Sequence, residues 1–387
     1  MAATDGYEKL KIMTEGLKKW LSEKDYNYFQ CNDVPPSLFT KNHAINVLLR
    51  TFFRMCPINF RSEKDIPFTP QGIVSLLKTY IKIDDIKVIN LLFSRALKLR
   101  SQKSKNFSLK QGTRIAINMY ENNEEDPTPL NTVWFGEALL SDSKDRINPK
   151  QKEDILKSIS NYLTDELGYK DHGPQGIYFY YGYNFKKEII NASAQISSFL
   201  IETGHRYNCQ KYIELGKRGI LYVVNSQNDD GSWFYASKPE RSTIDNFHQG
   251  YILKALLSCR SLLSFDISES IDKSLNYYKT KLFYNKKDEL IPVRYDKRYT
   301  PLNTWLFQKT DARDISTALE IFSLYYIDKE TIKKLINYTY NNLFDKRKNI
   351  IACEKGLFWT NKIPYLEFEG WMLYSFILVK NTFYSNY

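Results

Sequence analysis

The two residues best placed to do chemistry are Asp245 and His248, in the run Thr243-Ile244-Asp245-Asn246-Phe247-His248-Gln249-Gly250. Three positions apart at the start of a helix, a carboxylate and an imidazole share one face and can work as an acid and base pair near neutral pH. Immediately upstream, Gln227 to Tyr235 reads Q-N-D-D-G-S-W-F-Y. Asp-Gly sets a tight turn, and the aromatic strip after it offers Trp233 and Tyr235 as flat faces for sugar rings. The same residues also have a structural reading: a docked loop, with Asp245 or Asn246 capping the helix and His248 a satisfied histidine.

Other groups complete a polar, aromatic cleft. Arg61, Arg241 and Arg294 are candidate partners for carboxylate or phosphate groups, Tyr178 and Tyr180 are alternative bases, and Asn191, Asn246, Asp314 and Tyr365 stand at the starts of helical segments. Asp229, Asp230, Asp245 and Asp314 are the carboxyl groups from which a glycosidase pair would be drawn. The five cysteines, Cys31, Cys56, Cys209, Cys259 and Cys353, are far apart and form no C-x-x-C pair. They read as reduced thiols, so neither a disulfide frame, a metal site nor a cofactor is expected.

Helical periodicity is what must position these groups. Apolar residues recur at i, i+3, i+4 and i+7 from Ile315 through Ala318, Leu319 and Phe322, and likewise in Ala192 to Leu200 and Ile252 to Leu257. Helices are expected to start near Thr69, Asn131, Asn191, Asn246, Asp314 and Tyr365, with a partner helix in each interval, roughly 84–98, 150–165, 208–226, 267–281 and 329–342. Two helices per repeat and six repeats predict an all-α (α/α)6 toroid of six hairpins, an open solenoid being the alternative. The sixth outer helix is assigned to Ser37–Phe53. Residues 1–36 are then an N-terminal helical cap on a single domain spanning 37–387. Helix N-termini would converge on one mouth, the natural ligand site.

The chain carries a net charge of +11, but its lysines are interspersed with acidic residues and form no long basic run. This argues against a nucleic-acid partner and for a small ligand, anionic in the reading that fits the charge best. The first 20 residues lack an apolar leader and no stretch reaches the length of a membrane span, so a cytoplasmic location is expected.

Three stretches resemble the VpsJ-like family of bacterial exopolysaccharide and capsule biosynthesis proteins. Cys56-Pro57-Ile58-Asn59-Phe60-Arg61 with Thr69-Pro70-Gln71-Gly72 is similar to its S-P-I-N-x-R and N-P-K-G. Asp229 to Tyr235 with Ile244 to Gly250 is similar to its D-G-S-W-x-Y and I-D-N-F-H-T-G, and Asn361-Lys362-Ile363-Pro364-Tyr365 with Trp371-Met372 to its closing motif. Where the family has D-I-H-S, this chain has Asp314-Ile315-Ser316-Thr317, so a second histidine is missing, and Glu367-Phe368 stands in place of the family's Arg-aromatic pair. The resemblance implies a role in polysaccharide biosynthesis. It leaves two classes open: an enzyme of hydrolase, lyase or epimerase type acting on a sugar, or a non-catalytic carbohydrate-binding or assembly protein.

Overall fold

The structure, a computed structural model, describes residues 2–27, 45, 48, 49, 52, 70–112, 115–117, 120–182, 184–236, 243–299 and 308–384. Twelve α-helices lie among them: α1 Ala2–Glu23, α2 Pro70–Ile83, α3 Ile86–Lys98, α4 Pro129–Ser141, α5 Pro149–Asn161, α6 Ile190–Arg206, α7 Gln210–Asn225, α8 Asn246–Cys259, α9 Ser268–Lys281, α10 Ala312–Leu324, α11 Lys329–Asn342 and α12 Leu366–Phe383.

Residue pattern sorts these helices into two rings. In α12, apolar and small residues occur on every face and Leu366, Phe368, Gly370, Met372, Leu373 and Phe376 are all buried, as a helix surrounded by others requires. In α5, PKQKEDILKSISN, burial follows one stripe, Lys152, Ile155, Leu156, Ile159 and Ser160. Helices α2, α4, α6, α8, α10 and α12 pack each against the next, and α12 returns to α2, so the inner ring closes. Each of α3, α5, α7, α9 and α11 packs outside the inner helix before it. The architecture is an α/α toroid.

Five of the inner helices start within three residues of the expected positions; the start expected at Thr69 lies outside the described residues, next to Pro70. The caps differ in detail. Asn131 lies inside the first turn of α4 after Thr128, α6 follows Ile189 with no side-chain cap, and α10 is capped by Asp311. Asp314 is the reciprocal partner in that capping box.

In α1, Leu10, Met13, Thr14, Leu17 and Leu21 form a buried stripe that packs on α11 and α12, so Ala2–Glu23 lies beside the last inner helix. The segment Ser37–Phe53, expected there, lies almost wholly outside the described residues.

Short antiparallel hairpins fill the loops that feed the inner helices, so the fold is not purely helical. Two pairings matter for the site: β1 Phe283–Lys286 with β2 Glu289–Pro292 before Arg294, and β3 Lys309–Asp311 before α10, the latter pairing with β4 Glu354–Gly356.

Candidate functional site

Asp245 is the N-cap of α8, with an extended backbone and a side-chain Oδ1 that accepts the His248 amide at 3.1 Å. The cap places both side chains at the N-terminal mouth of the ring. Oδ2 of Asp245 meets Nδ1 of His248 at 2.5 Å, while Oδ1 accepts a hydrogen bond from Arg294 at 2.7 Å. Arg294 arrives from the β1–β2 hairpin, and that hairpin is pinned by Asn246. The Asn246 amide nitrogen donates to the Leu282 carbonyl at 2.8 Å and its backbone N–H to the Arg294 carbonyl at 3.0 Å. Asn246 is therefore fully buried and belongs to the frame that holds Arg294, not to a ligand surface.

Burial alone would raise the Asp245 carboxyl, but Arg294 and then His248 hold it well below the usual carboxylate range. For His248 burial dominates and lowers the imidazole below its ordinary value, against the pull of Asp245. A neutral ring whose Nδ1–H points at a carboxylate keeps Nε2 as the acceptor. The His248 side chain is 20% exposed, and it packs on Tyr235, with ring centroids 4.7 Å apart, and on Phe247. Asp245, His248, Arg294 and Tyr235 thus come together as expected from sequence.

Asp314 joins them from α10. Its Oδ1 lies 3.6 Å from Arg294 with no hydrogen-bond partner, and its Oδ2 accepts the Asp311 amide at 3.1 Å. Complete burial, with Asp311 and Asp245 nearby, pushes the Asp314 carboxyl well above its ordinary value against the pull of Arg294. Fully buried at the cap of α10, Asp314 belongs to the frame of the mouth.

Residues outside the expected site set complete the mouth and the space below it. Arg313 pairs with Asp311 at 2.7 Å, and its guanidinium and that of Arg294 lie over the Phe247 ring at 4.1 and 3.8 Å. Phe247 is held between two cations. Deeper along the axis, Trp134 of α4 meets Tyr251 of α8 and Trp371 of α12, with centroids 6.2 and 5.4 Å apart. These rings line a cavity of about 40 Å³ in the middle of the barrel. The one available sequence signal was that Tyr251 follows His248 by three positions.

Several expected ligand contacts lie elsewhere. Trp233 is fully buried, its indole N–H donating to the Val223 carbonyl at 2.8 Å, and its backbone exchanges two hydrogen bonds with the Gln249 side chain. It is a core anchor, and what it anchors is the strip that carries Tyr235 to His248. Tyr178 is buried against His172, Tyr180 and Tyr222 of outer helix α7, and Tyr180 packs on Tyr178 and beneath Lys186. Asn191 is 2% exposed inside α6. Tyr365 is the half-buried N-cap residue of α12 against Phe368, on the same mouth. Asp230 is taken up by Ser232 and by Arg298 at 2.9 Å. Arg61 and Arg241 lie outside the described residues. Among the described residues no group of His, Cys, Asp and Glu is placed to hold a metal ion, and no helix is long and apolar enough to cross a membrane.

No protein-family model and no curated protein matches the sequence. Solved structures do match in fold. A glycoside hydrolase family 76 mannosidase from Bacteroides thetaiotaomicron superposes with a TM-score of 0.58 at 12% identity, over 95% of this chain and 99% of that one. Cellobiose 2-epimerase from Bacillus thermoamylovorans gives 0.59 at 9% identity, over 82% and 89%. A D-mannose isomerase gives 0.59 at 11% identity, over 96% and 97%. At such identities the likeness is one of fold: this chain has the α/α toroid used by these carbohydrate-processing enzymes.

Proposed function

We propose that this protein is a carbohydrate-active enzyme that moves a proton on a sugar or short oligosaccharide at the N-terminal mouth of the toroid, with His248 as the base. The observation that carries the reading is the Asp245–His248 pair. A neutral imidazole, fixed through Nδ1 by a buried carboxylate, presents Nε2 in a partly exposed setting of aromatic rings. Abstraction from a carbon beside a carbonyl would leave the electron pair on that carbonyl as an enediolate. Return of the proton to the other face or the neighbouring carbon gives epimerase or isomerase chemistry, and expulsion of a β leaving group gives lyase chemistry. Hydrolysis by paired carboxyl groups is less well supported, because Asp245 and Asp314 are both buried and engaged with Arg294.

Asp245 acts as a positioning residue, Tyr235 supplies a sugar-stacking face and Tyr365 lies on the rim. Arg61 and Arg241 remain proposed contacts for an anionic substituent. The motifs shared with VpsJ-like proteins support a place in capsule or exopolysaccharide biosynthesis, in the cytoplasm. In the proposed domain plan 37–387 is one unit, with α1 packed onto it. The fold relatives, a mannosidase, a cellobiose epimerase and a mannose isomerase, support a sugar as ligand.

Incubation with free aldoses and uronates in D2O, followed by NMR, tests the reaction. Deuterium should enter at the carbon beside the carbonyl, and His248→Ala should abolish it. Saturable sugar binding that depends on Tyr235, with no exchange or cleavage across the panel, would instead favour the non-catalytic binding protein.

A further inference from the structure

We propose a second ligand site at the opposite end of the toroid, centred on Glu202, for a small polyol that carries an ammonium group, the chemistry of an amino sugar. A cavity of about 350 Å³ opens where α4, α6, α8 and α10 end. Small-molecule pockets begin at about 300 Å³, so this one is of monosaccharide scale. It lies about 20 Å along α8 from Asp245, at 1.5 Å per residue.

The floor of the cavity is a ring of four charges from four inner helices. Lys78 lies 3.1 Å from Glu137 and 3.7 Å from Glu320, and Lys254 lies 3.7 and 3.5 Å from the same two carboxylates. Each charge has two neighbours of opposite sign, so the floor is neutralised internally. Glu202, in the last turn of α6, is not. Among the described residues no Lys, Arg or His nitrogen comes within 4.0 Å of its carboxylate, which is hydrogen-bonded by the hydroxyls of Ser198, at 3.3 Å, and Ser258. Ser198 in turn shares a 2.6 Å contact with Ser258 of α8. Burial and then the neighbouring Glu137 charge raise the Glu202 carboxyl above its ordinary value, against the pull of the Ser258 and Ser198 hydroxyls and of the more distant Lys78 charge.

Two further features choose the ligand. The last carbonyls of α4, α6, α8 and α10 converge on this end, and their partial negative charge adds to that of Glu202, so the field favours a cation. Arg206 is exposed at the rim on the same helix and does not pair with Glu202. The wall combines serine hydroxyls, Gln195 and the Tyr325 ring, which suit hydroxyl groups and a C–H face. Beyond it the rim exposes Leu324, Tyr326 and Ile327.

The site is independent of the chemistry proposed for the other mouth and is tested separately. Titration calorimetry of the full chain with glucosamine should give saturable binding that Glu202→Gln weakens tenfold or more and that Ser258→Phe, which fills the cavity, blocks. Neither variant should change the binding of glucose or glucuronate, which lack the ammonium group and report on the other mouth. The proposal is overturned if glucosamine does not bind, or if both cavity variants bind it with wild-type affinity.

Discussion

Nδ1 of His248 and Oδ2 of Asp245 stand 2.5 Å apart across the first turn of α8, and the same carboxylate caps that turn and accepts Arg294. The helix cap and, in the proposed reaction, the residue that orients the base are here one side chain, so mutating it mixes two effects that mutating His248 keeps apart. His248→Ala should cut turnover by roughly 10²–10⁴-fold, the usual worth of a general base, while thermal denaturation moves little. Asp245→Asn keeps a good N-cap but leaves Arg294 short of a charge. It should lose both turnover and about 1–3 kcal/mol of stability, read from denaturant unfolding of the two variants side by side.

The pH dependence follows from the direction of the His248 shift. Burial lowers the folded imidazole; Asp245 opposes this, while Arg294 and Arg313 add to it. Activity should therefore fall on an acid limb below the free-histidine value of about 6.5. Asp245→Asn removes the one opposing charge and should move the limb lower still. For stability, the unfolded chain takes up the proton first. The contribution is complete above about pH 6.5 and is lost as pH falls towards and through the folded value. Equal pH profiles for the wild-type protein and Asp245→Asn would disconnect the limb from this pair.

Trp233 and Tyr235, two residues apart, should separate cleanly. Trp233→Ala empties a fully buried site and breaks the bond to Val223, so about 3–5 kcal/mol of stability should go. Tyr235→Ala touches a half-buried ring against His248 and should raise KM or weaken sugar binding with a much smaller change in Tm. A Tyr235→Ala variant with unaltered kinetics would remove this ring from the ligand surface.

The fold was readable because its signals are local. Outer helices such as α5 show one apolar stripe, and proline or an Asp or Asn cap precedes several helices, so starts and partners could be placed within a turn. Asp245 and His248 were readable for the same reason, being three residues apart. Trp134, Tyr251 and Trp371 were not, because they sit on separate inner helices and meet only when the ring closes. Trp233 was misread because nothing local distinguishes an indole that stacks on a sugar from one that reaches back to a helix carbonyl. The position of α1 depended on where its Leu10–Leu21 stripe found a partner, which is a long-range fact.

Gly231, in the Asp-Gly turn, tests how the Trp233 strip is seated. Its φ is +89°, and a Cβ there would lie 2.3 Å from the Lys273 carbonyl oxygen of α9. Gly231→Ala should therefore cost more than the roughly 1 kcal/mol of a left-handed alanine, about 2–3 kcal/mol in all, measured by chemical denaturation. Activity at a temperature where the variant is folded should also fall, because displacement of the turn carries Tyr235 away from His248.

Asp314 provides the opposite sign of pH dependence. Burial raises its carboxyl, Arg294 opposes this, and Asp311 and Asp245 add to it, so the folded protein holds the proton that an unfolded chain releases near pH 3.9. A raised folded value gives a contribution that is whole below about pH 3.9 and is lost as pH rises through the folded value. Asp314→Asn replaces the neutral acid with a neutral amide whose oxygen can still accept the Asp311 amide, so the capping box survives. The variant should unfold within about 1 kcal/mol of wild type at acid pH and gain on it as pH rises, since it has no proton to lose. Parallel Tm profiles from pH 5 to 9 measure this directly. A variant that instead loses several degrees at neutral pH, with the deficit constant or growing towards alkaline pH, would mean that Asp314 is ionised in the folded protein and serves Arg294 as a second counter-ion.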